Sequence, residues 1–183
     1  MKLSEEVCWG MLRHNYRMRV EKKVKHTERV LRSCMKIAEK MGEKTTVDLD
    51  EDLLAQAAIL HDIAKFNGEG THHTEGEKVL AKEYERLTGR SLDKGTREKL
   101  AAVIAAHKGD FDPPKKVKFE AAVLRMADKL DKYTRGKPSA DESYEKSMKK
   151  IKKYFENSGD YQTFAEICEK RREKLKEKRE KND

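Results

Sequence analysis

An all-α bundle of about seven or eight helices is what this chain predicts, on three observations. Apolar residues recur at helical spacing in run after run. Capping residues and glycines punctuate those runs. No segment alternates as a half-buried strand would. Of the 183 residues, 36% are apolar and 42% charged, with both signs throughout. That mixture favours salt-bridged helices over a disordered chain. The length suits a single domain, 1–183, with helices carrying a site over about 20–135 and C-terminal helices over about 139–183.

The first helix is predicted over residues 4–12, capped by Ser4, with Val7, Cys8, Met11 and Leu12 on one side. His14 follows as a surface histidine without a role. A longer helix is predicted from Val20 to Met41, stopping at Gly42. Val24, Leu31, Cys34 and Ala38 form its apolar stripe, and His26 sits beside that stripe. Asp48 or Asp50 caps a third helix carrying Leu53, Leu54, Ala57, Ala58 and Leu60 into His61-Asp62. Neighbours on a helix diverge by about 100°, so a site shared by this pair requires the helix to end there. Gly68 and Gly70 suggest that it does.

The segment from Phe66 to His73 reads as a polar loop that delivers His72-His73. Thr74 and Glu77 fit a capping box for a fourth helix, ending at Gly89. A fifth starts near Thr96 and carries Leu100, Val103 and Ile104 to His107. Pro113-Pro114 forces a break. A nearly all-apolar sixth helix, Val117 to about Tyr133, brings Asp128 to its later turns. Ser139 caps a seventh that runs toward Phe155, and Thr163 with Glu166 makes a capping box for the last. The tail to Asp183 alternates in charge and reads as a solvated helix end.

Lys and Arg exceed Asp and Glu by 42 to 34, a net charge of +8. That is compatible with an anionic substrate, with nucleic acid, or with solubility alone. Cys8, Cys34 and Cys168 are widely spaced and form no CxxC, as expected of reduced thiols in a cytoplasmic protein. No apolar run approaches a membrane span.

The candidate site is read from order and environment: His26, His61-Asp62, His72 (or His73), His107 and Asp128. Each stands near a helix end or beside an apolar face. A lone helical histidine is ordinarily a packed or surface residue, and a lone loop histidine is ordinarily just polar. A carboxylate ending an apolar run must be paired, metal-bound or turned outward, and Lys129 or Arg125 could pair with Asp128 in solvent. Six ligands of mixed imidazole and carboxylate type suit two divalent first-row ions, with Fe or Mn expected and Mg, Ni, Co or Zn allowed. His26, His61, Asp62 and Asp128 would hold one. Asp62 would bridge to a second held by His72 or His73 and His107. Such a pair lowers the pKa of a bridging water and binds phosphate oxygens. Asp62 and Lys65 are the expected catalytic residues, and Lys65 and Arg135 would hold substrate phosphate.

These residues resemble the HD-domain superfamily of metal-dependent phosphohydrolases. The resemblance runs from about His26 to Asp128. It is carried by His26-Thr27-Glu28-Arg29-Val30, His61-Asp62-Ile63-Ala64-Lys65, His72-His73 with Gly76, His107, and Ala127-Asp128-Lys129. It implies an all-helical fold and, from the extra histidines, the dinuclear branch. The Gly four residues after the second-metal His selects His72. Within that branch the chain is most similar to the YqeK-type symmetrical diadenosine-tetraphosphate hydrolases, with Tyr133-Thr134-Arg135 and the helical segment Ser143 to Arg172 as further likenesses. A shorter loop from His61 to His72 and a shifted arginine spacing depart from that group. The implied activity is hydrolysis of a nucleotide, a dinucleoside polyphosphate or another small phosphate ester. Two alternatives remain: a dinuclear iron oxygenase of the same superfamily, and a basic nucleic-acid-binding protein with a structural metal. Against the latter, aromatics make up only 7% of the chain. The oligomeric state is open, a dimer included.

Overall fold

The computed structural model describes residues 3–15, 20–63, 76–109, 111–156 and 158–181. Among them are eight α-helices and no strand. They are α1 (Glu5–Asn15), α2 (Val20–Lys44), α3 (Glu51–Leu60), α4 (Gly76–Thr88), α5 (Lys94–Ala106), α6 (Lys118–Thr134), α7 (Ala140–Ile151) and α8 (Tyr161–Glu180). Single 3-10 turns lead into α6 (Lys115–Val117) and extend α7 (Lys152–Phe155). No helix is long and apolar enough to cross a membrane.

The organising element is α6. Its apolar run of alanines, Val123, Leu124 and Met126, with Leu130 beyond, is buried. In all, 13 of its 17 residues are buried, the charged Glu120, Arg125, Asp128, Lys129 and Asp131 among them. A helix buried on nearly every side has neighbours all round. It packs against α2, α3, α5, α7 and α8. One hydrophobic cluster runs from Leu3 on the N-terminal arm through to Cys168 on α8. All three cysteines are free and buried within it, and burial pushes the Cys8 thiol up to about 12.

Local chemistry accounts for most helix ends. The Ser4 hydroxyl accepts from the Val7 amide at 3.3 Å. Asp50 caps α3 by accepting from the Leu53 amide at 2.9 Å. Its own amide donates to the buried Glu120 at 3.0 Å, which ties the start of α3 to the first turn of α6. Gly89 ends α4 with φ +65°, a left-handed conformation that glycine adopts without a side-chain clash.

Three predicted boundaries are corrected. Gly42 does not end α2, which continues to Lys44. A helical glycine costs only about 1 kcal/mol, and the Thr45 hydroxyl instead closes the end on the Met41 carbonyl at 2.8 Å. Ser139 precedes α7 but makes no side-chain cap. Thr163 caps nothing, because α8 already begins at Tyr161. There the Ser158 hydroxyl accepts from the Asp160 amide, and Gly159 at φ +71° turns the chain early. Thr74 of the proposed capping box lies outside the described residues, and Glu77 pairs with Arg97 at 3.0 Å.

Candidate metal centre

Four helices deliver the site. His26 comes from the second turn of α2, His61 caps the C-terminus of α3 with Asp62 next to it, His107 caps α5, and Asp128 lies on α6. All are buried: Asp62 is 2% exposed, Asp128 6% and His26 9%. The ligand atoms of His26, His61 and Asp62 all fall within 4.8 Å of one another. Asp128 Oδ1 is 3.7 Å from His26 Nε2, and His107 Nε2 is 3.8 Å from Asp62 Oδ1. The structure therefore brings five of the sequence-predicted residues to one place. Lys65, His72 and His73 lie outside the described residues. Arg135 is near but not at the cluster, its Nε 2.6 Å from Asp131. His14 is apart from it, 2.9 Å from Glu83.

The hydrogen bonds decide which ring nitrogens face inward. His61 Nδ1 donates to the Ala58 carbonyl at 2.7 Å, and His107 Nδ1 donates to the Ile104 carbonyl. His26 Nδ1 donates to Asp131 at 2.8 Å. A carbonyl or carboxylate only accepts, so each Nδ1 carries a proton, and in the neutral ring each Nε2 is left with a lone pair. His26 Nε2 and His61 Nε2 nevertheless sit 3.1 Å apart. Two lone pairs facing each other beside two carboxylates are stable around a cation, and a divalent ion satisfies all of them at once. The donor set contains nitrogen and oxygen and no sulfur, which suits a first-row divalent ion better than a structural zinc site.

Asp131 was not anticipated, and it is the orienting residue. Its carboxylate is fully buried and also accepts from Arg29 Nε at 2.5 Å. Burial would raise its pKa, but the bonds from His26 and Arg29 outweigh that and hold it low. Asp131 stands three residues after Asp128, on the same face of α6, as Arg29 stands three after His26 on α2. That spacing was the available signal. Lys108 and Lys129 were also missed as site residues: Lys108 Nζ is 3.1 Å from Asp62 Oδ1, and Lys129 Nζ is 2.7 Å from Asp128 Oδ2. Asp128 was expected to turn inward, with a solvent pairing to Lys129 or Arg125 as the alternative. The pair to Lys129 forms, but buried, Lys129 being only 8% exposed. Arg125 instead clips the end of α5, donating to the Ala106 and Gly109 carbonyls at 3.0 and 3.1 Å on either side of His107.

A cleft of about 610 Å³ opens onto the cluster. Its described lining holds eight Lys or Arg side chains (Lys22, Lys23, Lys25, Arg29, Lys108, Lys129, Lys132, Arg135) beside His26, Asp62 and Asp128.

The buried titrations predict an acid-sensitive fold. Burial lowers the pKa of His61 and lowers that of His107 well below the ordinary 6.5. The unfolded chain then takes up protons first as pH falls through about 6.5, so stability drops on acidification. The slope is at most about 1.4 kcal/mol per pH unit for each histidine. Burial would raise Asp128, but the positive groups around it, Lys129 foremost, together outweigh burial and keep the carboxyl well below the usual range. Asp128 and Asp131 therefore extend the loss below pH about 4. Urea midpoints of metal-free protein should fall steadily from pH 7 to pH 5; a flat profile would contradict neutral, buried imidazoles.

The converging helices of this all-α protein gather three imidazoles and two carboxylates, a cluster of the kind that can hold a divalent metal ion. The chain is a member of the HD domain family, whose model matches residues 24–133, more than half of its length. Proteins of this family are in general metal-dependent hydrolases. No curated protein and no solved structure matches the chain significantly.

Proposed function

We propose that the protein is a metal-dependent phosphohydrolase acting on a nucleotide, a dinucleoside polyphosphate or another small phosphate ester. The observation that carries this reading is the juxtaposition of a buried imidazole–carboxylate cluster with a cleft lined by eight cationic side chains. Metal ligands alone fit many chemistries; the surrounding positive charge selects an anionic substrate.

His26, His61, Asp62 and Asp128 would hold one ion, and His107 with His72 or, failing that, His73 would hold a second, with Asp62 available to both. Fe or Mn suits the donors best. When bound, the ions supply a water of lowered pKa and positive charge for phosphate oxygens. Arg29 and Arg135 grip outer phosphates, and Lys65 is a further candidate for that role. Lys108 pairs with Asp62 at 3.1 Å and offers its remaining donors to a phosphoryl oxygen. Asp131 keeps His26 in the Nδ1–H tautomer, so that its Nε2 stays a ligand. The three unbridged cysteines suit a reducing, cytoplasmic setting.

The test is metal analysis of anaerobically purified protein, then phosphate release over nucleoside mono-, di- and triphosphates and dinucleoside polyphosphates. Release that needs Mn or Fe and stops with a chelator is expected. No release from any phosphate, with oxygen uptake on a polyol or phosphonate, would replace the hydrolase with the oxygenase.

A further inference from the structure

A second cleft, of about 570 Å³, lies between α2, α6 and α8 on the far side of the Arg29–Asp131–Arg135 cluster. Two stripes face each other across it. Arg29, Arg32 and Lys36 recur at intervals of three and four along α2, and Arg171, Lys174 and Lys178 do so along α8. Its one lining acid is Asp131, whose carboxylate already serves His26, Arg29 and Arg135.

The rest of α8 shows what ordinary surface charges do in this protein. Arg172 pairs with Glu145 at 3.1 Å and Glu169 at 2.5 Å, and Lys176 pairs with Asp141 at 3.0 Å. Across the cleft, no acid among the described residues pairs with Arg32, Arg171 or Lys174. Among the described residues Arg171 reaches only the Ser33 hydroxyl, at 3.4 Å, and its buried Nε has no hydrogen-bond partner. The same is true of Arg172 Nε, but Arg172 has carboxylates on its other nitrogens and Arg171 has none. Burial, with Arg32 beside it, lowers its pKa. A buried guanidinium donor without an acceptor, between two stripes of like charge, is costly unless an anion enters.

We propose that this cleft is a second anion site, which takes a phosphate group of a small phosphorylated molecule. Its lining among the described residues contains no aromatic side chain on which a base could stack, which favours a phosphate chain over nucleic acid. Arginine forks in pairs suit phosphate oxygens. Arg29 and Arg135 line both clefts. The phosphate therefore has two sources: the distal end of a molecule seated in the first cleft, or a separate effector.

The probe is tripolyphosphate, titrated calorimetrically into metal-free, full-length protein. Removing the cleft's charge with Arg171→Gln/Lys174→Gln should weaken binding at least tenfold or abolish one binding event. Arg172→Gln/Lys176→Gln removes the same charge from the paired face of the same helix and should leave binding within twofold. Equal loss in both double variants would reduce the effect to net charge and overturn the proposal, as would unchanged binding in the first. Thermal melts of both variants exclude unfolding as the cause. No metal and no turnover enter this measurement, so it stands or falls apart from the phosphohydrolase reading. Kinetics then separates the sources. A raised KM for long phosphate chains alone, in the Arg171→Gln/Lys174→Gln enzyme, identifies the substrate's own distal phosphate. Unchanged KM with lost response to added tripolyphosphate identifies an effector.

Discussion

Replacing Asp62 with Ala is expected to eliminate metal retention and phosphate release together. The loss should exceed the roughly 10–100-fold that outer partners of metal ligands command, because Asp62 stands between the two halves of the cluster. Its Oδ2 is 3.7 Å from both His26 Nε2 and His61 Nε2, and its Oδ1 is 3.8 Å from His107 Nε2. No neighbouring carboxylate substitutes for it, since Asp128 is engaged with Lys129. Metal content by mass spectrometry and phosphate release in the same preparation provide the check. His14→Ala is the matched control: its imidazole meets Glu83 between α1 and α4, and both metal and turnover should be retained. Full activity in Asp62→Ala would sink the site assignment outright.

Asp131→Asn should rank next, with two effects that can be read independently. Metal affinity should fall about 10–100-fold, the usual consequence of disturbing the partner that orients a ligating histidine. The amide keeps one acceptor where the carboxylate offered two oxygens to His26, Arg29 and Arg135. Its NH2 group would face donors, and His26 would lose the bond that keeps its proton on Nδ1. Stability should fall by about 3 kcal/mol or more, the range seen when one member of a buried charge cluster is removed. Manganese titration and urea unfolding measure the two effects. Undiminished affinity would show that His26 needs no orienting carboxylate.

Much of this arrangement was legible in the chain, for reasons that are local. His61 and His107 follow apolar runs directly, so helix ends had to bring them to the interior boundary. Asp128 could be expected inside because it directly follows the largely apolar run Ala121 to Ala127. Asp131 was hidden in the charged string Asp128-Lys129-Leu130-Asp131-Lys132, which reads as a solvated surface. Its role appears only once α2, 105 residues away, lies against α6. Lys108 and Lys129 were hidden for the same reason, since a lysine next to a ligand is ordinarily solvent-exposed. Gly42 and Thr163 misled in the opposite direction. Each is a sound punctuation signal by itself, and each yields to what comes next: the Thr45 hydroxyl in one case, the Ser158–Gly159 turn in the other.

The separation of His26 from Asp128 along the chain bears on how the protein matures. An ion bound by both bridges the second helix to the sixth and cannot be captured until everything between them has been made and packed. In the proposed metalloenzyme, acquisition of the ion would be a late step, acting as a ratchet on the finished fold rather than a seed for it. At a free ion concentration a thousandfold above the dissociation constant, that ratchet adds about 4 kcal/mol to the folded state. Cellular abundance of the protein would then track the supply of its metal.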